Sequence, residues 1–434
     1  MEIIDCRLEK GVSRLKGLKE TALYNEEVEQ SVSEILQKVR VLGDKALIEY
    51  TQVFDSYSLC PSMIEVEKDA INVSRASISK KLADSIEYAK KNIEEYAKKL
   101  LRKSWSYKRR DGSVLGEEIR PVEKVGIYVP GGTAPLVSTV LMTAVIARVA
   151  GVKEIFVASP PCTGGDISPG ILAACSIAGV DSVFRVGGAQ AIGAFAFGTK
   201  TVPKVDKIVG PGNVYVSCAK RQVYGFVDID MVAGPSEVLI IADKTSNPKF
   251  IAADMLAQAE HDTASRIYLV SVDKDLIVNI EKEIYRQSTM LSRKKIISES
   301  LSRGAFLVVV RDLTQAINVA NIIAPEHIEV MVENPEFVVR RINNAGAIFV
   351  GEWTPEAIGD FVAGPSHVLP TSGGARWFSG LSVSDFLKRI SLINYSEEAF
   401  KKVSKYAVEL ADTEKLDGHG NSVKIRMKKT VSSA

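Results

Sequence analysis

The chain has 434 residues, 46% hydrophobic and 25% charged, and 55 Lys plus Arg nearly balance 53 Asp plus Glu to a net charge of +2. That length exceeds one simple core and predicts two or more domains, while the balanced charge gives no electrostatic basis for binding nucleic acid or an anionic membrane. The start, MEIIDCRLEKG, lacks the apolar run of a signal peptide, and the apolar stretch 136–150 is broken by Ser138, Thr139, Thr143 and Arg148, so no membrane span is expected and the cytoplasm is the default compartment.

Residues 25–105 read as mostly helical, with apolar residues near helical spacing and Lys/Glu neighbours in ADSIEYAKKNIEEYAKKLLRKSW. From 121 the pattern alternates. VEKVGIYVPGG is a strand running into a glycine turn, and TAPLVSTVLMTAVIARVAG is a helix stopped at Gly151. KEIFVASP is a strand, 168–179 a short helix, DSVFRVGG a strand and AQAIGAFAFGT a helix. KIVGPGN is strand then turn, VYVSCAKRQVYG is helical, and DIDMVAG closes the series. A second alternation uses EVLIIAD, RIYLVSV, AFLVVVRD and AGAIFVG as strands. Pro325 disfavours helix at the residue before it, so Glu326-His327 is expected to open a loop after a helix around 314–323. Residues 383–414 read as helices rich in Lys and Glu, with too little material for an independent core.

Alternating strands and helices imply parallel sheets with right-handed crossovers. The expected architecture is α/β, with two Rossmann-like open parallel-sheet domains plus small helical N- and C-terminal extensions. One domain spans 121–235. The other is discontinuous, from 25–120 and 236–381. Residues 1–24 form the N-terminal extension, and 382–434 form a helical tail that packs on a partner subunit.

Three glycine turns follow strands: Gly131-Gly132, Gly187-Gly188 and Gly210-Pro211-Gly212-Asn213. None matches the dinucleotide fingerprint. The nearest is Gly188-Ala-Gln190-Ala-Ile-Gly193, where Gln190 stands at the middle glycine and blocks the usual close approach of pyrophosphate. Tight structural turns and a nucleotide site in an unusual pose both remain open readings.

Five cysteines, at 6, 60, 162, 175 and 218, form no C-x-x-C pair, so a metal here has to use His, Asp, Glu or amide ligands. The four histidines stand in suggestive company. Gln258 and His261, at i, i+3 near a helix end, can share a cation on one face. Asp360 ends Thr354-Pro-Glu-Ala-Ile-Gly-Asp360, a short helix capped by its Thr-Pro start. His367 follows in a loop, and His419 sits in Asp417-Gly-His419-Gly, another loop. Mixed N/O ligation suits zinc, although the spacing lacks a zinc signature. Glu326-His327 reads either as an acid and imidazole dividing proton transfers or as a surface Glu beside a packed His.

Taken together, VGIYVPGGTAPLVSTVLM, VGGAQAIGAFAFGT, KIVGPGNVYVSCAKRQV, DIDMVAGPSEV, LAQAEHD, APEHIEV, GDFVAGPSHVLPTSGGARWFSGLSVSDFLKR and EKLDGHGNSV resemble the histidinol dehydrogenase family, in order and at compatible spacing, from about residue 20 to 426. The resemblance implies oxidation of L-histidinol to L-histidine through the aldehyde with two NAD and one zinc per subunit. It implies Gln258, His261, Asp360 and His419 as zinc ligands, and Glu326 and His327 as the catalytic pair. Tyr128, Gln190 and Asn213 are implied as NAD contacts, with Ser236, His367 and Glu414 completing the substrate pocket. It further implies an intertwined homodimer in which His419 and Glu414 act in trans. Lys415 stands where the family usually has glycine, Gly420 and Ser422 replace common alanines, and Ser366 replaces a frequent asparagine.

The chemistry agrees with those roles. His327 is suited to take a carbinol proton near neutral pH, and Glu326 to activate the water that hydrates the aldehyde. Zinc with two neutral His, one Gln and one Asp keeps a charge of about +1 and suits orienting a neutral imidazole and amine. Competing readings are a relative oxidising another small alcohol such as a sulfonated propanediol, a zinc hydrolase, and a non-catalytic nucleotide-binding scaffold.

Overall fold

A computed structural model describes residues 1–18, 26–131, 135–162 and 164–431. The boundary expected at 24/25 lies outside the described residues. The chain divides into two compact units, Met1–Leu100 with Val122–Phe386, and Leu101–Pro121 with Leu387–Ala434.

The first unit holds two parallel sheets. Its six-stranded sheet runs in the order Glu2–Asp5, Ala305–Val309, Arg266–Ser271, Glu237–Ala242, His327–Met331, Ala347–Val350. The inner strands EVLIIA and AFLVV are buried along their whole length, which is why they read as continuous apolar runs: helices cover both faces. Side-chain caps start several of those helices. Asn247, Asp273 and Asp312 each accept a hydrogen bond from the first helical turn.

The five-stranded sheet runs Ser182–Arg185, Glu154–Ser159, Lys124–Tyr128, Lys207–Val209, Asp228–Ile229. The chain leaves Lys124–Tyr128 toward one edge and returns at Lys207–Val209 on its other side. That reversal opens a crevice at the carboxyl ends of these two strands, just beyond Tyr128 and Gly210. The helix Glu26–Leu42 buries Val32, Ile35, Leu36 and Val39 against this sheet's helices, a stripe set by their i, i+3, i+4, i+7 spacing.

Two local expectations change in the first unit. Glu326-His327 does not open a loop, because His327 begins a buried central strand paired on both sides, with Val238 and with Ala347. Pro325, two residues after Ile323, stops the helix, and the apolar HIEVM run that follows is short enough for a strand. The N-terminal segment is also more than helical, since Glu2–Asp5 adds an edge strand to the six-stranded sheet.

The second unit contains an antiparallel sheet in the order Leu387–Asn394, Val114–Pro121, Trp105–Lys108, and two helices packed together, Glu397–Thr413 and Asp417–Val431. Residues 387–394, expected as helix, pair along all eight residues with Val114–Pro121. Ser396 caps the helix after it. Between the two helices Lys415 takes a left-handed φ of +58°, a conformation that favours glycine. Trp105, Ile393, Leu410 and Ile425 are exposed on this unit. Among the described residues no helix is long and apolar enough to cross a membrane.

Candidate active site

A cavity of about 910 Å³ in the first unit is lined by Tyr128, Gln190, Asn213, Ser236, His261, Glu326, His327, Asp360 and His367, among others. Residues from both sheets meet there in opposite senses. The five-stranded sheet offers the carboxyl ends of its strands, whereas Ser236 and His327 stand at the amino starts of theirs.

At the five-stranded side, the Tyr128 hydroxyl accepts the Gly188 N–H at 3.1 Å, and burial pushes its phenol up to about 12. Gly188 opens the helix Gly188–Phe197 with φ +60°. Gln190, in its first turn, is buried with neither amide atom hydrogen-bonded. Asn213 caps the helix Val214–Val223 through 3.1 Å bonds from the Tyr215 and Val216 N–H groups. Gly210 is held at both polar ends. Its N–H donates to Asp230 Oδ2 at 2.8 Å and its carbonyl accepts from Lys220 Nζ at 2.9 Å, and Lys220 and Asp230 form a buried ion pair. At φ +115°, with space for a Cβ only 2.2 Å from the Tyr128 carbonyl oxygen, this position demands glycine. Two helix N-termini therefore face the crevice, a setting that favours a phosphate. Part of the Gly131-Gly132 turn lies outside the described residues.

At the six-stranded side, ligand atoms of His261, Glu356 and Asp360 lie within 4.8 Å of one another. His327 Nε2 is 3.7 Å from Asp360 Oδ1, and its Nδ1 is 3.7 Å from Glu356 Oε1 and 3.8 Å from Glu326 Oε2. His367 Nδ1 is 3.0 Å from the Asp360 carbonyl oxygen. Burial drives the imidazoles of His327 and His367 down to about 3 and about 4, so both are neutral near pH 7. Burial raises the carboxyl of Asp360 to about 7 and carries Glu326 and Glu356 well above the carboxylate range. Ser236 hydrogen-bonds Glu326.

A sequence model of the histidinol dehydrogenase family matches residues 18–427. The chain belongs to the histidinol dehydrogenase family. It is 50% identical over 419 residues to the histidinol dehydrogenase of Clostridium acetobutylicum, covering 96% of this chain and 97% of that one. It is 47% identical over 429 residues to that of Aquifex aeolicus, covering 98% and 99%. The crystal structure of histidinol dehydrogenase from Elizabethkingia anophelis matches with a TM-score of 0.93 at 37% identity, covering 99% of this chain and 98% of that one.

The side chains of this family member fit a bound cation. Gln258, in the last turn of the helix Pro248–Ala259, is fully buried with neither amide atom partnered, and His327 Nε2 and Glu356 Oε2 are likewise buried without partners. Such groups are costly unless something compensates them, and the N/O donor set suits zinc. The buried, unpartnered Gln190 amide gives the crevice a polar contact for a nucleotide in the same way. His261 stands just past the end of its helix, its N–H donating to the Gln258 carbonyl at 3.3 Å.

Asp360 lies in the helix Glu356–Phe361, which Thr354 does not cap; the Thr354 hydroxyl bonds the Val350 carbonyl instead. His419 is in the first turn of the helix Asp417–Val431, where a loop was expected, and Glu414 ends the helix before it; both belong to the second unit. Glu356 was not singled out by the sequence reading. Its i, i+4 spacing to Asp360 was the available signal, placing both carboxylates on one helix face. The Glu356 N–H donates to buried Glu329 Oε1 at 2.9 Å, which anchors that helix to the central strand.

Proposed function

We propose that the chain oxidises L-histidinol to L-histidine through the aldehyde, with NAD as electron acceptor and one zinc ion per subunit. The observation that carries this reading is the single cavity that joins a nucleotide-type crevice to a cluster of neutral imidazoles and carboxylates. Gln258, His261 and Asp360 would hold the zinc together with the partner subunit's His419. When bound, zinc supplies positive charge that orients the substrate's imidazole and amine. When bound, NAD supplies the electron acceptor for each of the two oxidations; Tyr128, Gln190 and Asn213 are its proposed contacts.

The chain's own groups manage protons and position. His327, neutral at working pH, takes the proton of the substrate hydroxyl on Nε2. Glu326 takes a proton from the water that adds to the aldehyde carbonyl, and burial raises its affinity for protons. Ser236, His367 and Glu414 complete the substrate pocket, Glu414 offering a carboxylate to the substrate's nitrogen groups. His419 and Glu414 act in trans within an intertwined homodimer. The support for that arrangement is the set of exposed apolar side chains on the second unit, which a partner's surface would cover.

NADH formation from L-histidinol tests the proposal. The expected yield is two NADH per histidinol, abolished by chelation and restored by zinc. No NADH from histidinol, with turnover of a sulfonated propanediol or cleavage of an ester instead, would overturn it.

A further inference from the structure

Part of the cavity's lining is left without a role by the proposed chemistry. There the helix Glu26–Leu42 contributes Ser31 and Ile35, and the helix Asp44–Asp55 contributes Phe54 and Asp55. Both helices pack on Gly188–Phe197, the helix that opens at the glycine turn. The second of them stops at Asp55, because Ser56 takes a left-handed φ of +54° and its N–H returns to the Thr51 carbonyl. That stop fixes Asp55 at the cavity wall.

Asp55 Oδ2 is buried and has no hydrogen-bond partner. Its negative charge reaches Tyr128. A buried carboxylate oxygen without a donor is unfavourable unless a ligand completes it. The reacting end of a dinucleotide has to reach His327, so its adenosine half extends away from the metal-type cluster. The two helix N-termini lie in the crevice beside Tyr128 and suit the pyrophosphate. Phe54, with more than half its surface exposed, offers a face on which an adenine can stack.

Resting on the reading as an NAD-linked dehydrogenase, we propose that Asp55 selects NAD over NADP. Its carboxylate accepts hydrogen bonds from the adenosine ribose hydroxyls and repels a phosphate at the 2′ position. The surroundings offer such a phosphate nothing in return. Among the described lining residues the sole Lys or Arg is Arg293, and its charge acts on His261.

The test compares kcat/KM for NAD and NADP in the zinc-loaded enzyme and in Asp55→Asn and Asp55→Ala. The expected result is a rise in KM for NAD of about ten-fold or more, from loss of hydrogen bonds to a charged group, with kcat less affected. The ratio of NADP to NAD efficiency rises by a comparable factor. Parallel loss with both cofactors, leaving the ratio unchanged, would overturn the assignment, because a purely structural role moves both alike. A second measurement needs no variant. ADP-ribose should inhibit the unaltered enzyme more strongly than its 2′-phosphate, and equal inhibition would also overturn it. Absence of NADH formation from histidinol in the unaltered enzyme would instead refute the underlying function.

Discussion

His327 Nδ1 lies 3.2 Å from the carbonyl oxygen of Glu237. A carbonyl oxygen only accepts, so Nδ1 carries the ring proton and Nε2 keeps the lone pair. The free nitrogen is the one that faces Asp360. The Glu237 N–H in turn donates to Glu326 Oε2 at 3.0 Å. One residue's backbone thus sets the tautomer of the imidazole and the orientation of the neighbouring acid.

Replacing His327 with Asn should therefore remove the proton acceptor and leave the nucleotide crevice intact. The expected loss in kcat for alcohol oxidation is about 10²- to 10⁴-fold, with NAD affinity little changed. Steady-state kinetics alongside equilibrium NAD binding check it. A loss confined to NAD affinity would contradict the role.

Glu326→Gln keeps an oxygen to accept the Glu237 N–H but gives up the base. The first oxidation should survive better than the second, so aldehyde accumulates and the yield falls from two NADH toward one. Rapid quench with a carbonyl-trapping reagent measures this. Equal loss in both half-reactions would assign aldehyde hydration to another group.

Gln258→Leu exchanges an unpartnered buried amide for an apolar side chain of similar size. Such a change is nearly neutral for folding, within about 1 kcal/mol. Zinc content per chain, measured by elemental analysis after dialysis, should fall sharply, while melting of the chelated variant stays close to that of the chelated parent. Undiminished zinc content would remove Gln258 from the ligand set.

The buried acids set a direction for stability against pH. Asp360, at about 7, and Glu326 and Glu356, carried well above the carboxylate range by burial, bind protons more tightly folded than unfolded. Their contribution is present at low pH and is lost as pH rises through the folded values. His327 and His367, lowered to about 3 and about 4, act in the opposite sense, but only below their ordinary value of 6.5. Chelated protein should therefore lose melting temperature as pH rises above about 6.5, where the histidines are neutral in both states. Zinc, taking the place of the protons, should flatten that slope. An unchanged melting temperature across this range without metal would contradict the burial of these carboxyls.

Mixed dimers test action in trans. His327→Asn and His419→Asn are each expected to be inactive alone. Co-expressed, they form dimers in which one of two sites has both histidines, restoring about a quarter of normal activity in a random mixture of symmetric dimers. Sites assembled within one chain would show no rescue.

The order of strands and helices from 121 to 235, and the start of the second alternation, follow from the sequence alone, because apolar periodicity and glycine stops are local signals. The candidate chemistry is also local in part: four histidines, each next to an amide, acid or small-residue turn. What tertiary structure decided is non-local. Leu387–Asn394 became a strand because Val114–Pro121 pairs with it from more than two hundred residues away. His327 starts a strand because Val238 and Ala347 flank it. Glu356 joins the cluster, and Glu237 sets the imidazole's tautomer, through contacts between segments far apart in the chain. Neighbours in sequence set local propensity. Which backbone carbonyl meets which ring nitrogen depends on how the sheets bring distant strands together, and no window along the chain contains that information.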